Sequence, residues 1–157
     1  MNSDQQLYDW LVNSPLTYKL EPRHIHLLTG FVESKWLHKG DILYWEDEKA
    51  ESFAYIVEGR MQVLKQDVTK ASKVIAYLTA GRLVGVIEIL DEAERVATVR
   101  ALETTHVITI SRKNLSHIQR EFPRIGQAIL RAMVRVLADH LRQADATLAD
   151  MYGQRDR

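Results

Sequence analysis

The sequence predicts an α+β fold, a β-roll carried between N-terminal helices and one long C-terminal helix. Three observations predict it. Between residues 31 and 111, short segments rich in β-branched and aromatic residues are separated by turn residues at near-even intervals, the rhythm of a roll or barrel. On either side of that stretch the apolar residues return at helical rather than strand spacing. At 157 residues the chain suits a single domain, expected to divide into helices over 1–30, the roll over 31–111 and helices over 112–152.

Taken in order, residues 3–13 place Leu7, Trp10 and Leu11 on one helical face, with Ser3 or Asp4 as cap and Ser14-Pro15 as stop. A second short helix is expected over 21–28, with Pro22 in its first turn and Gly30 closing it. Strands follow over 31–38, 42–45, 53–57, 61–65 and 73–78, punctuated by Lys39-Gly40-Asp41, the acidic loop 46–51, Glu58-Gly59 and Thr79-Ala80-Gly81. Further strands over 96–102 and 107–110 close the roll. Ser111 caps a helix carrying Leu115, Ile118 and Phe122, which Pro123 stops. Over 124–151 the residues Leu130, Met133, Leu137, Leu141, Ala144, Leu148 and Met151 recur at helical spacing, a longer stripe than a small roll needs to cover its end. Pairing with a second copy as a short coiled coil is therefore expected, against the alternative that the helix folds back entirely on its own roll.

Composition narrows the function. Hydrophobic and charged fractions of 46% and 27% are those of a globular protein. No run is long and apolar enough to span a bilayer, and the N-terminus lacks a basic-then-apolar leader pattern, so a cytoplasmic protein is expected. The absence of cysteine removes disulfides, thiolate catalysis and cysteine-ligated metal. A formal net charge of zero gives no global basic field toward nucleic acid or acidic membrane, and no basic helix-turn-helix is found.

The stretch with chemical content is 81–101. Gly81 and Gly85 open turns, 86–90 is a short apolar turn, 91–94 is an acidic loop, and Arg95 leads into a β-branched run. Glycine lets backbone approach a ligand, a helix opened at Gly85 directs unpaired N–H groups at an anion, and Arg95 offers a forked, charge-assisted pair to the same anion. On spacing alone the commoner reading is two plain turn glycines and a solvated strand-entry arginine.

The residues Gly81, Gly85, Ile87, Ile89 and Arg95-Val96-Ala97-Thr98-Val99, in that order, resemble the phosphate-binding cassette of the cyclic-nucleotide-binding domain family. The earlier stretches Gly40-Asp41 and Tyr55-Ile56-Val57-Glu58-Gly59-Arg60-Met61-Gln62-Val63 fit the same family, so the resemblance covers nearly the whole chain. It implies a jelly-roll-like double-stranded β-helix and a non-catalytic regulatory module that senses cyclic AMP or cyclic GMP and signals through its last helix. It further implies that the ligand phosphate sits on backbone N–H groups of Gly85, Val86, Ile87 and Glu88 and on Arg95, with Val96, Ala97 and Thr98 lining the pocket. Removing the Arg95 side chain is then expected to abolish ligand binding and leave the unliganded fold intact.

The pattern is broken at two places: Val84 stands where the family has Phe, and Val86 where it has the Glu that accepts the ribose hydroxyl. Glu88 falls two residues later, at a position usually held by a small residue. A charge-assisted hydrogen bond of this kind contributes about 1.5–3 kcal/mol, or roughly one to two powers of ten in affinity. Two readings stay open: a working sensor of a cyclic nucleotide or another anion, and a degenerate domain acting as a dimerising interaction module toward a protein partner.

Other chemistries are weaker. His24 and His26 are the one close histidine pair, but they sit in an expected helix whose i, i+2 spacing points the rings apart, so no metal site is expected. No serine lies in a nucleophile-elbow turn, no Walker loop is present, and the carboxylates cluster in surface loops. No catalysis and no cofactor are expected. His140 interrupts the C-terminal seam, where it either tunes helix pairing or caps a ligand pocket.

Overall fold

The computed structural model describes residues 3–155. Helices α1 (Ser3–Leu11) and α2 (Pro22–Thr29) flank a 3-10 turn at Pro15–Thr17. Strands β1 (Glu33–Leu37), β2 (Ile42–Tyr44), β3 (Ser52–Glu58), β4 (Arg60–Gln66), β5 (Ser72–Thr79) and β6 (Leu83–Val84) follow. A short helix, α3 (Val86–Leu90), separates them from β7 (Thr98–Ala101) and β8 (Thr105–Ser111). Helices α4 (Arg112–Glu121) and α5 (Pro123–Arg155) complete the chain.

The strands form two antiparallel four-stranded sheets in the orders β1-β8-β3-β6 and β2-β7-β4-β5. This is the jelly-roll-like β-roll of the sequence reading. Leu37, Ala54, Ile56, Val84 and Val107 of the first sheet meet Tyr44, Met61, Val99 and Ala101 of the second to fill the roll. The opposite face of the first sheet offers Phe53, Tyr55, Ile108 and Ile110 to the helices, where Leu11, Leu16, Leu28, Ile118, Ile125, Ile129 and Met133 cover them. Strands β3 and β8 are thus covered on both faces, which explains why they read as near-continuous apolar runs rather than alternating ones.

The helix boundaries follow local chemistry. Pro22 occupies the first turn of α2, where its missing N–H has no partner to lose, and the Gly30 and Phe31 N–H groups close the helix on the Leu27 and Leu28 carbonyls. The Ser111 hydroxyl accepts the Asn114 N–H at 3.0 Å and caps α4. α4 ends at Glu121, just ahead of Pro123 as expected, and Pro123 in turn opens α5, where a first turn loses nothing by its missing N–H.

Only the first part of α5 belongs to the core. Ile125, Ile129, Ala132 and Met133 are buried, whereas every residue over 139–155 is exposed. The apolar stripe therefore divides: Met133 packs on the roll, and Leu141, Leu148 and Met151 stand in solvent. No helix among the described residues is long and apolar enough to cross a membrane.

Candidate functional site

The stretch 81–101 is held at one end of the roll by backbone bonds to the loop before β3. The Arg95 N–H donates to the Glu48 carbonyl at 2.7 Å, the Asp47 N–H donates to the Arg95 carbonyl at 2.8 Å, and Lys49 bridges Glu94. The acidic loop 46–51 thus fixes the arginine's backbone. Arg112, entering α4, donates to the Ala50 carbonyl at 2.8 Å and to the Glu88 carbonyl at 3.5 Å, tying α3 to the same loop.

Gly85 caps α3 in the left-handed conformation, with φ of 76°. That conformation alone favours glycine. Space demands it as well, because a Cβ there would fall 2.5 Å from Arg95 Nη1 and 3.0 Å from Tyr44 Cε2.

The Arg95 side chain is 3% exposed and turns into the protein. Its Nη1 donates to the Gly85 carbonyl at 3.1 Å and its Nη2 to the Ser52 carbonyl. The guanidinium carbon lies 3.6 Å from the centre of the Tyr44 ring, a cation–π contact. Burial holds the Tyr44 hydroxyl above its ordinary value against the opposing effects of Ser52 and Arg95, and its oxygen lies 2.8 Å from Ser52 Oγ. Arg95 thereby joins three segments of chain, so a purely ligand-facing arginine is not what the fold holds.

Glu88 is also buried, and its Oε1 accepts the Val96 N–H at 3.2 Å. Its carboxylate braces the cassette's own loop. Val86, at the position where the resemblance sets a ribose-binding Glu, is 2% exposed and presents only methyl groups.

Gly85, Val86, Ile87, Glu88, Arg95, Val96, Ala97 and His140 line one cavity of about 290 Å³. Strands β4 and β5 add Val63, Ile75 and Leu78, and α5 adds Val136 beside His140. Thr98 does not reach it. In the pleat of β7, Val99 points into the roll and Thr98 to the other face, where its hydroxyl accepts the Glu46 N–H at 3.0 Å and lines a separate cleft with Arg100 and Trp45. His24 and His26 lie in α2, with His26 stacked on Tyr8 at 4.1 Å, and no cluster of metal-ligating side chains occurs among the described residues.

Among the site residues that the sequence does not single out are Tyr44, Ser52 and Val136. Each is far from the cassette along the chain, and none carries a motif. Only the alternation of β2 and the periodicity of α5 bear on them, and neither says what lies opposite.

The family model described as "Cyclic nucleotide-binding domain" matches residues 34–121. The cyclic AMP receptor protein of Thermus thermophilus is 24% identical over 135 residues, covering 86% of this chain and 61% of that protein. The cAMP-activated global transcriptional regulator CRP of Salmonella typhimurium is 32% identical over 123 residues, covering 78% of this chain and 54% of the relative. The chain thus spans less than two-thirds of the length of either. Among solved structures, a cyclic nucleotide-binding domain from Methylobacillus flagellatus superposes with a TM-score of 0.85 at 19% identity, covering 94% of this chain and 85% of that one. The phospholipase relatives share only this module; the Neurospora crassa lysophospholipase, for one, matches over 8% of its own length. With the match taking in the roll, the cassette and α4, the chain belongs to the cyclic nucleotide-binding domain family.

Proposed function

We propose that this chain is a non-catalytic regulatory domain in which a small molecule, held between the cassette and α5, sets the position of α5. What supports it is one observation: the same cavity is walled by residues 85–88 and 95–97 of the cassette and by Val136 and His140 of α5. A ligand that contacts both walls binds differently to the two positions of the helix, which is the condition for shifting its equilibrium. The output is then the helix itself, whose outer residues Leu141, Leu148 and Met151 are free to pair with a second copy or a partner protein.

The second reading, a dimerising module without a ligand, is favoured by the exposed stripe alone and gives the cavity no role. The two separate by filling the cavity. In Val63→Phe and Val96→Phe the added ring occupies the space a ligand would take, and amide exchange over residues 134–150 is compared with the parent chain. A several-fold change confined to α5 is expected of the sensor. Equal exchange in both folded variants contradicts it and leaves the dimerising module.

A further inference from the structure

We propose that the outer face of the second sheet carries a separate site for an uncharged carbohydrate, centred on the cleft beside Trp45. The helices pack on the first sheet, and the outer face of the second turns to solvent. Strand register sets Ile42, Arg100, Gln62 and Tyr77 in one row across β2, β7, β4 and β5. Their neighbours Met61, Leu78 and Val99 point into the roll, so alternation turns this row away from it. Thr98, which does not reach the cassette's own cavity, opens on the same side.

The platform is aromatic at both ends. Trp45 follows edge strand β2 and is 54% exposed, and Tyr77 lies on edge strand β5 and is 67% exposed. These strands stand three spacings apart, about 14 Å, the reach of a short oligosaccharide. At the Trp45 end a cleft of about 250 Å³ opens over Ile42 and Leu64. An indole face beside it suits the C–H face of a sugar ring.

The polar wall suits hydroxyls. Glu46 Oε2 accepts the Gln66 N–H at 3.0 Å, and Oε1 lies 3.5 Å from Lys65 Nζ. The Gln62 amide, with its oxygen toward the guanidinium, accepts Arg100 Nε–H at 2.8 Å. Among the described residues, five groups keep no side-chain partner: the Asp47 carboxylate, the Gln66 side-chain amide, the Ser72 and Thr98 O–H and Arg100 Nη1. Donors and acceptors are thus both left over, as vicinal hydroxyls require, since each donates once and accepts twice.

Charge favours a neutral ligand. Glu46, Asp47 and Arg100 in the wall, with Lys65 on Glu46, sum to zero. A nucleobase would also stack on Trp45, but the two carboxylates oppose the phosphates that come with it.

The site is distinct from the cavity beside α5, so its test is independent of the sensor reading. Cellotriose, maltotriose and mannotriose are titrated into the full chain, Trp45→Ala and Tyr77→Ala, read by saturation-transfer difference NMR, with an oligothymidylate and benzyl alcohol as controls. Both rings are exposed, so the variants are expected to keep the parent's unfolding midpoint. At least one trisaccharide is expected to bind saturably, with transfer concentrated on its ring C–H protons, and to bind about tenfold or more weakly in either variant. No saturable binding of any of the three below about 50 mM would overturn the proposal. Binding unchanged in either variant would overturn it equally, as would an oligothymidylate or benzyl alcohol that binds as tightly as the best trisaccharide.

Discussion

Arg95 Nη1 donates to the Gly85 carbonyl at 3.1 Å, and the same nitrogen occupies the space a Cβ on residue 85 would need. The glycine and the arginine are therefore one structural unit: the αL turn that opens α3 leaves room for the guanidinium that closes it. Gly85→Ala is expected to cost about 1–2 kcal/mol for the left-handed backbone alone, with more for displacing Arg95. Urea unfolding of the variant measures it, and a shift in midpoint at constant slope is the expected form.

Arg95→Ala tests whether the arginine belongs to the fold as well as to a site. Truncation leaves the Gly85 and Ser52 carbonyls without their donor and opens space beside Tyr44. A loss of about 2–5 kcal/mol is expected from buried acceptors left unpaired and the cavity formed. An unchanged unfolding midpoint would return Arg95 to the purely ligand-facing role that the resemblance implied.

How much of this was legible in the sequence varies with the distance over which the determining contact acts. The strands of the roll, the helix opened at Gly85 and the cap at Ser111 are set by residues within a few positions of one another, and local spacing was enough to find them. The direction of Arg95 depends on Tyr44 and Ser52, brought beside it only by the pairing of strands. The misplacement of Thr98 has a different cause. β7 begins at Thr98 rather than Val96, and the pleat decides the face, so a motif that treats adjacent residues as neighbours in a pocket runs against strand alternation. The stripe on α5 carries period but not depth, so Met133 in the core and Met151 in solvent looked alike.

His106 on β8 is 1% exposed, stacked on Trp36 at 4.5 Å, met edge-on by Trp10 at 4.3 Å, and 2.7 Å from Ser34 Oγ. Burial holds its imidazole below the ordinary value of 6.5, with Glu58 pulling the other way. Between the lowered folded value and 6.5 the unfolded chain holds the extra proton, so stability falls as pH drops through that window and is fully present above it. Unfolding midpoints from about pH 8 to about pH 5 are expected to decline, and less steeply in His106→Phe, which keeps the ring stack and removes the titration. Identical slopes would show that other groups carry the acid sensitivity.

Leu141 is 64% exposed on a face of α5 that also shows Leu148 and Met151. If that face pairs with a second copy, Leu141→Glu sets like charges across the seam and weakens association by about tenfold or more, with the monomer's fold and unfolding midpoint little changed. Sedimentation equilibrium over a concentration series reads the outcome. An association constant equal to the parent's would remove this face from the interface.

Under the proposed function, what fills the cavity decides where α5 lies. The chain has no cysteine, so a pair introduced at Lys113→Cys on α4 and Gln143→Cys on α5 carries two spin labels with no background. Their distance distribution is recorded in the otherwise unaltered chain and again with Val63→Phe filling the cavity. The distribution is expected to move by about 2–5 Å or to redistribute between two maxima. Superimposable distributions from two folded proteins would contradict it, leaving α5 a fixed strut and the cavity without a voice in the helix.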